Sequence, residues 1–127
     1  MNKEKILVID DNEIVLQSCK RILESKNYSV TLCSSATEGI KTIEDHKFSL
    51  IIIDIVMPYC DGIKLSGKIQ SNYPDSKILL ISGYMEPKPF SEIIIEKKTN
   101  FIAKPFTPDE LLKAVKSAII RDPESTG

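Results

Sequence analysis

The sequence holds no tryptophan and a single histidine, His46. Its three cysteines, Cys19, Cys33 and Cys60, make no C-x-x-C pair and follow no zinc-ligand spacing, which excludes a zinc site of the usual patterns. An odd number of cysteines without a secretory signal fits reduced thiols, so the expected location is cytoplasmic. The opening "MNKEKILVID" has too short an apolar run for a signal peptide. No stretch approaches the roughly 20 apolar residues needed to span a bilayer, and no membrane contact is expected. An excess of one charge is missing as well. The formal net charge is -1, and nothing resembles the clustered Lys and Arg of a nucleic-acid-binding domain.

What is present is ordinary for a folded domain. The 127 residues suit one hydrophobic core, and 42% hydrophobic with 28% charged residues is a globular composition. Apolar runs alternate with helical stripes. "KILVID" (5–10) reads as a buried strand, and residues 13–25 carry Ile14, Val15, Cys19, Ile22 and Leu23 at helical spacing. "YSVTLC" (28–33) is β-rich, and Ser35 with Glu38 forms a capping-box pattern ahead of Ile40 and Ile43. "FSLIIID" (48–54) is a third strand, residues 61–71 a third helix, and "KILLIS" (77–82) a fourth strand. Over 90–98 periodicity does not separate helix from strand, and the alternation favours a short helix. "NFIA" (100–103) is a fifth strand. Thr107, Pro108 and Glu110 then supply an N-cap, a first-turn proline and the N3 acid of a last helix bearing Leu111, Leu112, Val115 and Ile119.

Five β-α units in succession, with strands apolar along their whole length, predict an α/β fold in which a parallel sheet is covered by helices on both faces. Residues 1–121 form the domain, and 122–127 are a polar tail. In such sheets ligands bind beyond the carboxyl ends of the strands. Those ends carry Asp10 and Asp11, Asp54, Ser82, and Lys104. Three carboxylates gathered at one edge repel one another unless cations sit among them. Lys104 supplies one positive charge. An all-oxygen donor set suits a hard divalent cation, Mg2+ in preference to zinc, and leaves one carboxylate available as a nucleophile toward a phosphoryl group.

At these residues the chain resembles the receiver domain of two-component response regulators, over about residues 4 to 121. The resemblance lies in "VIDDN" (8–12), "IIDIVMPYCDG" (52–62), "LLISGY" (79–84) and "FIAKPF" (101–106), in that order. It implies a doubly wound, flavodoxin-like (βα)5 fold, a five-stranded parallel sheet of order 2-1-3-4-5. It also implies roles. Asp54 is the phospho-accepting residue. Asp11 is a direct Mg2+ (or Mn2+) ligand, Asp10 acts through metal-bound water, and the Val56 backbone carbonyl completes the protein ligands. Lys104 holds a phosphoryl oxygen, with a cis bond to Pro105. Ser82 donates to the new phosphoryl group, and Phe101 occupies the switch-aromatic position. The implied donor is a phosphohistidine on a sensor histidine kinase or a phosphotransfer protein. The implied receiver of the signal is an output domain or protein, or a second copy in a phosphorylation-dependent homodimer, engaged through the fourth helix, fifth strand and fifth helix. On this reading the chain is a signalling module with weak self-catalysis and not an enzyme.

The sequence departs from the family on that output surface. Phe101 is often Tyr, "IIIEKKTNF" (93–101) lacks the usual Gly-Ala pair, and Pro87 and Pro89 in the loop "GYMEPKPFS" are expected to shorten the fourth helix. Plainer roles stand beside the chemical ones. Asp10, Asp11 and Asn12 have the composition of a helix cap, Asp61 suits a cap better than a ligand, and His46 suits solvated surface. The alternative function is a degenerate receiver that binds partners without phosphorylation. A phosphatase with an aspartate nucleophile commonly needs a second acid two residues on, where this chain has Val56. A flavodoxin-type binder needs a Ser/Thr- and Gly-rich loop after the first strand, where it has two aspartates. No output domain follows in the sequence, which fits a stand-alone receiver and a piece of a larger regulator or hybrid kinase alike.

Overall fold

A computed structural model describes residues 3–57, 60–83 and 100–120. The strands are β1 (Lys5–Ile9), β2 (Ser29–Cys33), β3 (Leu50–Asp54), β4 (Val56–Met57), β5 (Cys60–Asp61), β6 (Ile78–Ser82) and β7 (Asn100–Ala103). The helices are α1 (Glu13–Glu24), α2 (Ala36–Asp45), α3 (Gly62–Asn72) and α4 (Pro108–Ile120). The main sheet has five strands, all parallel, in the order β2-β1-β3-β6-β7. This is the expected 2-1-3-4-5 order of a flavodoxin-like sheet. The helix expected over 90–98, Pro87, Pro89 and the tail from 122 lie outside the described residues.

The central strands are apolar on both faces because both faces are covered. Leu7, Ile9, Ile51, Ile53, Ile78 and Leu80 pack in one cluster with Ile43 of α2 and Ile63, Leu65 and Ile69 of α3. Their alternates Ile6, Val8, Leu50, Ile52, Leu79 and Ile81 pack in the other with Leu16, Cys19 and Leu23 of α1 and Leu111, Val115 and Ala118 of α4. The period-two alternation thus sorts one strand's side chains between two helical layers.

The helix starts follow their local chemistry. Asn12, not either neighbouring aspartate, caps α1: its side-chain oxygen accepts from the Ile14 and Val15 amides at 2.9 and 3.4 Å. Asp61 caps α3 through the Ile63 and Lys64 amides. Ser35 caps α2 by accepting from the Glu38 amide, but Glu38 reaches back one residue further than a capping box requires, to the amide and hydroxyl of Ser34. Thr107 and Glu110 form the full reciprocal box, at 3.1 and 2.8 Å. At the other end of α4, the Lys77 ammonium donates to the Ile119 carbonyl, one of the carbonyls a helix terminus leaves unpaired.

Sequence periodicity did not reveal the two-stranded antiparallel hairpin of β4 and β5. It pairs Val56 with Asp61 and Met57 with Cys60 just beyond Asp54. Two-residue strands are too short for an alternation to register. The hairpin turns the chain sharply, so that α3 starts against the end of β3.

Candidate functional site: an acidic edge closed by Lys104

Strand register builds the site. Ile9 pairs with Ile53, so the next residues, Asp10 and Asp54, emerge side by side at the same edge. Asp54 pairs with Ile81, and Ser82 pairs with Ala103, which sets Ser82 and Lys104 one step further along that edge. The Lys104 amide donates to the Ser82 carbonyl at 2.6 Å and ties the two together. The Lys104–Pro105 peptide bond is cis.

Asp10 is completely buried and Asp54 is 4% exposed, while Asp11 is exposed. A buried carboxylate needs a partner. The Lys104 ammonium serves both, 2.9 Å from Asp10 Oδ2 and 3.3 Å from Asp54 Oδ2. The other carboxylate oxygens take backbone donors. Asp10 Oδ1 accepts from the Asn12 amide at 2.8 Å, and Asp54 Oδ1 from the Val56 amide at 3.2 Å. One carboxylate oxygen from each of Asp10, Asp11 and Asp54 lies within 4.8 Å of the others. The donors are all oxygens, with two buried carboxylates against one ammonium. That combination fits a hard divalent cation such as Mg2+.

The electrostatics agree with the geometry. Burial lifts the Asp54 carboxyl from 3.8 to about 6, and the Asp10 charge adds to the rise, while Lys104 and the Val56 amide oppose it. For Lys104, burial works against the charge. The hydrogen bond to Asp10 and the charges of Asp10 and Asp54 outweigh it and hold the ammonium above its usual 10.5. Nearby thiols are held in the neutral form. Burial, then Asp10, push Cys19 up to about 12, and burial, then Asp61, raise Cys60. Both are thereby poor nucleophiles near neutral pH.

The remaining predicted residues sit as follows. Ser82 is fully buried at the end of β6. Val56 opens β4 beside Asp54 and is 46% exposed. Phe101 pairs with Leu80, back from the acidic edge, and the residue is 39% exposed. His46 follows α2 and meets Phe48 edge to face, with ring centroids 6.5 Å apart. Tyr84, the last residue of the "LLISGY" motif, is outside the described residues. Sequence reasoning assigned no structural role to Gly62, where any Cβ would run into the Asp54 backbone. The available signal was a glycine directly after a capping aspartate.

A parallel sheet of this order, with an acidic edge at the ends of its first and third strands in sequence, is the arrangement the receiver-domain resemblance implies. Residues 6–116 match the family model described as response regulator receiver domain. The chain belongs to the response regulator receiver domain family of two-component systems. It is 31% identical to a CheY-like response regulator receiver domain protein from Methanospirillum hungatei, with a TM-score of 0.86 over 93% of this chain and 94% of that one. It is 26% identical to the chemotaxis protein CheY of Listeria monocytogenes, over 90% of this chain and 97% of that protein. It is also 30% identical over 122 residues to the transcription factor SKN7 of Candida albicans. The chain spans 22% of the length of SKN7 and 12% of that of the sensor kinase CckA of Brucella abortus. Among the described residues, no helix is long and apolar enough to cross a membrane.

Proposed function

We propose that this receiver domain accepts a phosphoryl group on Asp54 in an Mg2+-dependent reaction. The single observation that carries the reading is the position of Lys104, whose ammonium bridges the buried carboxylates of Asp10 and Asp54. Asp11, Asp54 and the Val56 carbonyl would hold the ion directly, and Asp10 through water. When bound, Mg2+ neutralises charge on the phosphoryl oxygens. An Asp54 carboxylate oxygen attacks the phosphorus of a phosphohistidine in line. The P–N bond breaks, its electron pair returns to the imidazole, and an acyl phosphate forms. Lys104 meets an oxygen of the incoming group. Burial suits this task, since a low-dielectric edge strengthens each of these attractions.

Ser82, held beside Lys104 by the backbone, then donates its hydroxyl to the phosphoryl group, and the Phe101 ring changes position on β7. The donor is a sensor histidine kinase or a phosphotransfer protein. The face of β7 and α4 engages an output domain or protein, or a second copy of the chain. The domain spans 1–121, ahead of a polar tail, and works in the cytoplasm without contacting nucleic acid or membrane directly.

Intact mass after incubation with a small-molecule phosphodonor tests the reading. A single phosphoryl gain that requires Mg2+, and is lost in Asp54→Asn, is expected. No gain with either a small-molecule or a protein phosphodonor would overturn it and leave a phosphorylation-independent binding module.

A further inference from the structure

Helix α3 begins against the back of the phospho-acceptor's own segment. The amide of Gly62, its first residue, donates to the Ile55 carbonyl at 2.9 Å. A Cβ built on Gly62 would overlap the Asp54 carbonyl oxygen and stand 2.6 Å from Ile55 Cα and 2.9 Å from the Asp54 carbonyl carbon. All three are backbone atoms, so no side-chain rotation relieves the overlap. Either the helix or the Asp54–Ile55 main chain must move. No described glycine has a positive φ, so the requirement at Gly62 is for space and not for unusual backbone angles.

The same junction is tied from its other side. The β4–β5 hairpin pairs Val56 with Asp61, and Asp61 caps α3. The segment 54–56 is thus clasped between the sheet, the hairpin and the start of α3. It carries both the Asp54 carboxylate and the Val56 amide that donates to it. A displacement of this segment re-aims the carboxylate and strains the bond it accepts from the Val56 amide.

We propose that Gly62 is a positioning residue for the phosphorylation site. Its lack of a side chain lets α3 bear directly on the Asp54–Ile55 backbone, which sets the aim of the Asp54 carboxylate and the Val56 carbonyl. The inference rests on the Mg2+-dependent phospho-acceptor reading. Gly39 in α2 provides the comparison. It too is buried, but the nearest atoms a Cβ there would meet all belong to the Ile9 side chain.

The test compares wild type, Gly62→Ala and Gly39→Ala. Each is measured for unfolding in urea, Mg2+ affinity by amide resonance shifts, initial phosphorylation rate with a small-molecule phosphodonor, and metal-free hydrogen exchange of the Val56 amide. Gly62→Ala is expected to weaken Mg2+ binding and slow phosphorylation about tenfold or more, as loss of groups that orient a metal ligand does. Its Val56 amide exchanges faster. Gly39→Ala also loses stability, yet keeps both site properties within about twofold, because the atoms it crowds belong to the Ile9 side chain and not to the backbone of the site. A folded Gly62→Ala with wild-type Mg2+ affinity and phosphorylation rate overturns the proposal. If Gly62→Ala does not fold, Asp61→Ala decides, because it frees the start of α3 from its cap. A severalfold loss of Mg2+ affinity supports the positioning role, and unchanged affinity overturns it. A wild-type protein that neither binds Mg2+ nor takes a phosphoryl group sinks the phospho-acceptor reading instead. The metal-free exchange of Val56 then still decides whether Gly62 holds the segment.

Discussion

Lys104 sits closer to Asp10 than to Asp54, at 2.9 Å against 3.3 Å. Its stronger hydrogen bond therefore goes to the carboxylate that is not the proposed nucleophile. This arrangement keeps a cation within reach of Asp54 without tying it up, and it makes Lys104 the main counterweight to two buried negative charges.

Replacing that counterweight should be costly. Lys104→Met leaves Asp10 and Asp54 facing each other without their cation, and breaking a buried pair this way costs about 3 kcal/mol. Asp54, whose carboxyl burial already lifts to about 6, escapes the repulsion by taking up a proton, so the loss should shrink on going from pH 7.5 to pH 5. Urea unfolding at both values checks this. Equal stability of variant and wild type at pH 7.5 would show that Lys104 does not balance the pair.

Asp54→Asn should stabilise the metal-free protein. The carboxyl of Asp54 titrates at about 6 in the fold, against an ordinary value of 3.8. The folded state binds this proton more tightly than the unfolded chain, so ionised Asp54 opposes folding. That cost is absent below about pH 4, grows as pH rises toward 6, and is complete above it. The variant should gain on the order of 1–3 kcal/mol at pH 7.5 and nothing near pH 4. A gain of equal size at both pH values would point to packing instead of charge.

Asp11 separates metal binding from folding. It is exposed, so Asp11→Ala should change metal-free stability by no more than about 0.5 kcal/mol. Mg2+ at about a hundred times its dissociation constant should stabilise the wild type by about 2.7 kcal/mol. Most of that stabilisation should vanish in the variant. Melting curves with and without Mg2+ decide, and an undiminished Mg2+ effect would remove Asp11 from the ligand set.

The lifetime of the acyl phosphate should depend on Val56. Its half-exposed side chain stands beside Asp54, and Tyr84 lies two residues beyond Ser82. The expectation, read from the sequence, is that apolar Val56 and aromatic Tyr84 slow hydrolysis relative to small polar residues. Val56→Asn combined with Tyr84→Ala should shorten the lifetime severalfold, measured as loss of the phosphoryl mass after removal of the donor. An unchanged decay rate would discard the idea.

Much of the fold is legible in the chain because its signals are local. The runs around Ile6–Ile9, Leu50–Ile53 and Ile78–Ile81 are apolar on both alternating sets, which only a sheet covered twice accommodates. Thr107 with Glu110, and Asp61 ahead of Ile63, mark helix starts within a few residues, and those caps are present. The cap of α1 was less legible. Three adjacent residues have the chemistry for it, and the fold assigns it to Asn12 because Asp10 is drawn into the sheet edge.

By itself, then, the sequence determined the alternation of strands and helices, the ends of most of them, and which polar residues close the strands. Tertiary structure alone decided how those ends meet. Lys104 finds Asp10 and Asp54 across 94 and 50 residues of sequence, at distances set by strand order and register. The contact of Gly62 with the Asp54 backbone also arises only when α3 folds against the end of β3. Periodicity and capping act within a few residues and leave a trace in the chain. The close approach of backbones and the sharing of one cation between two buried carboxylates depend on packing between distant segments, which no local pattern records.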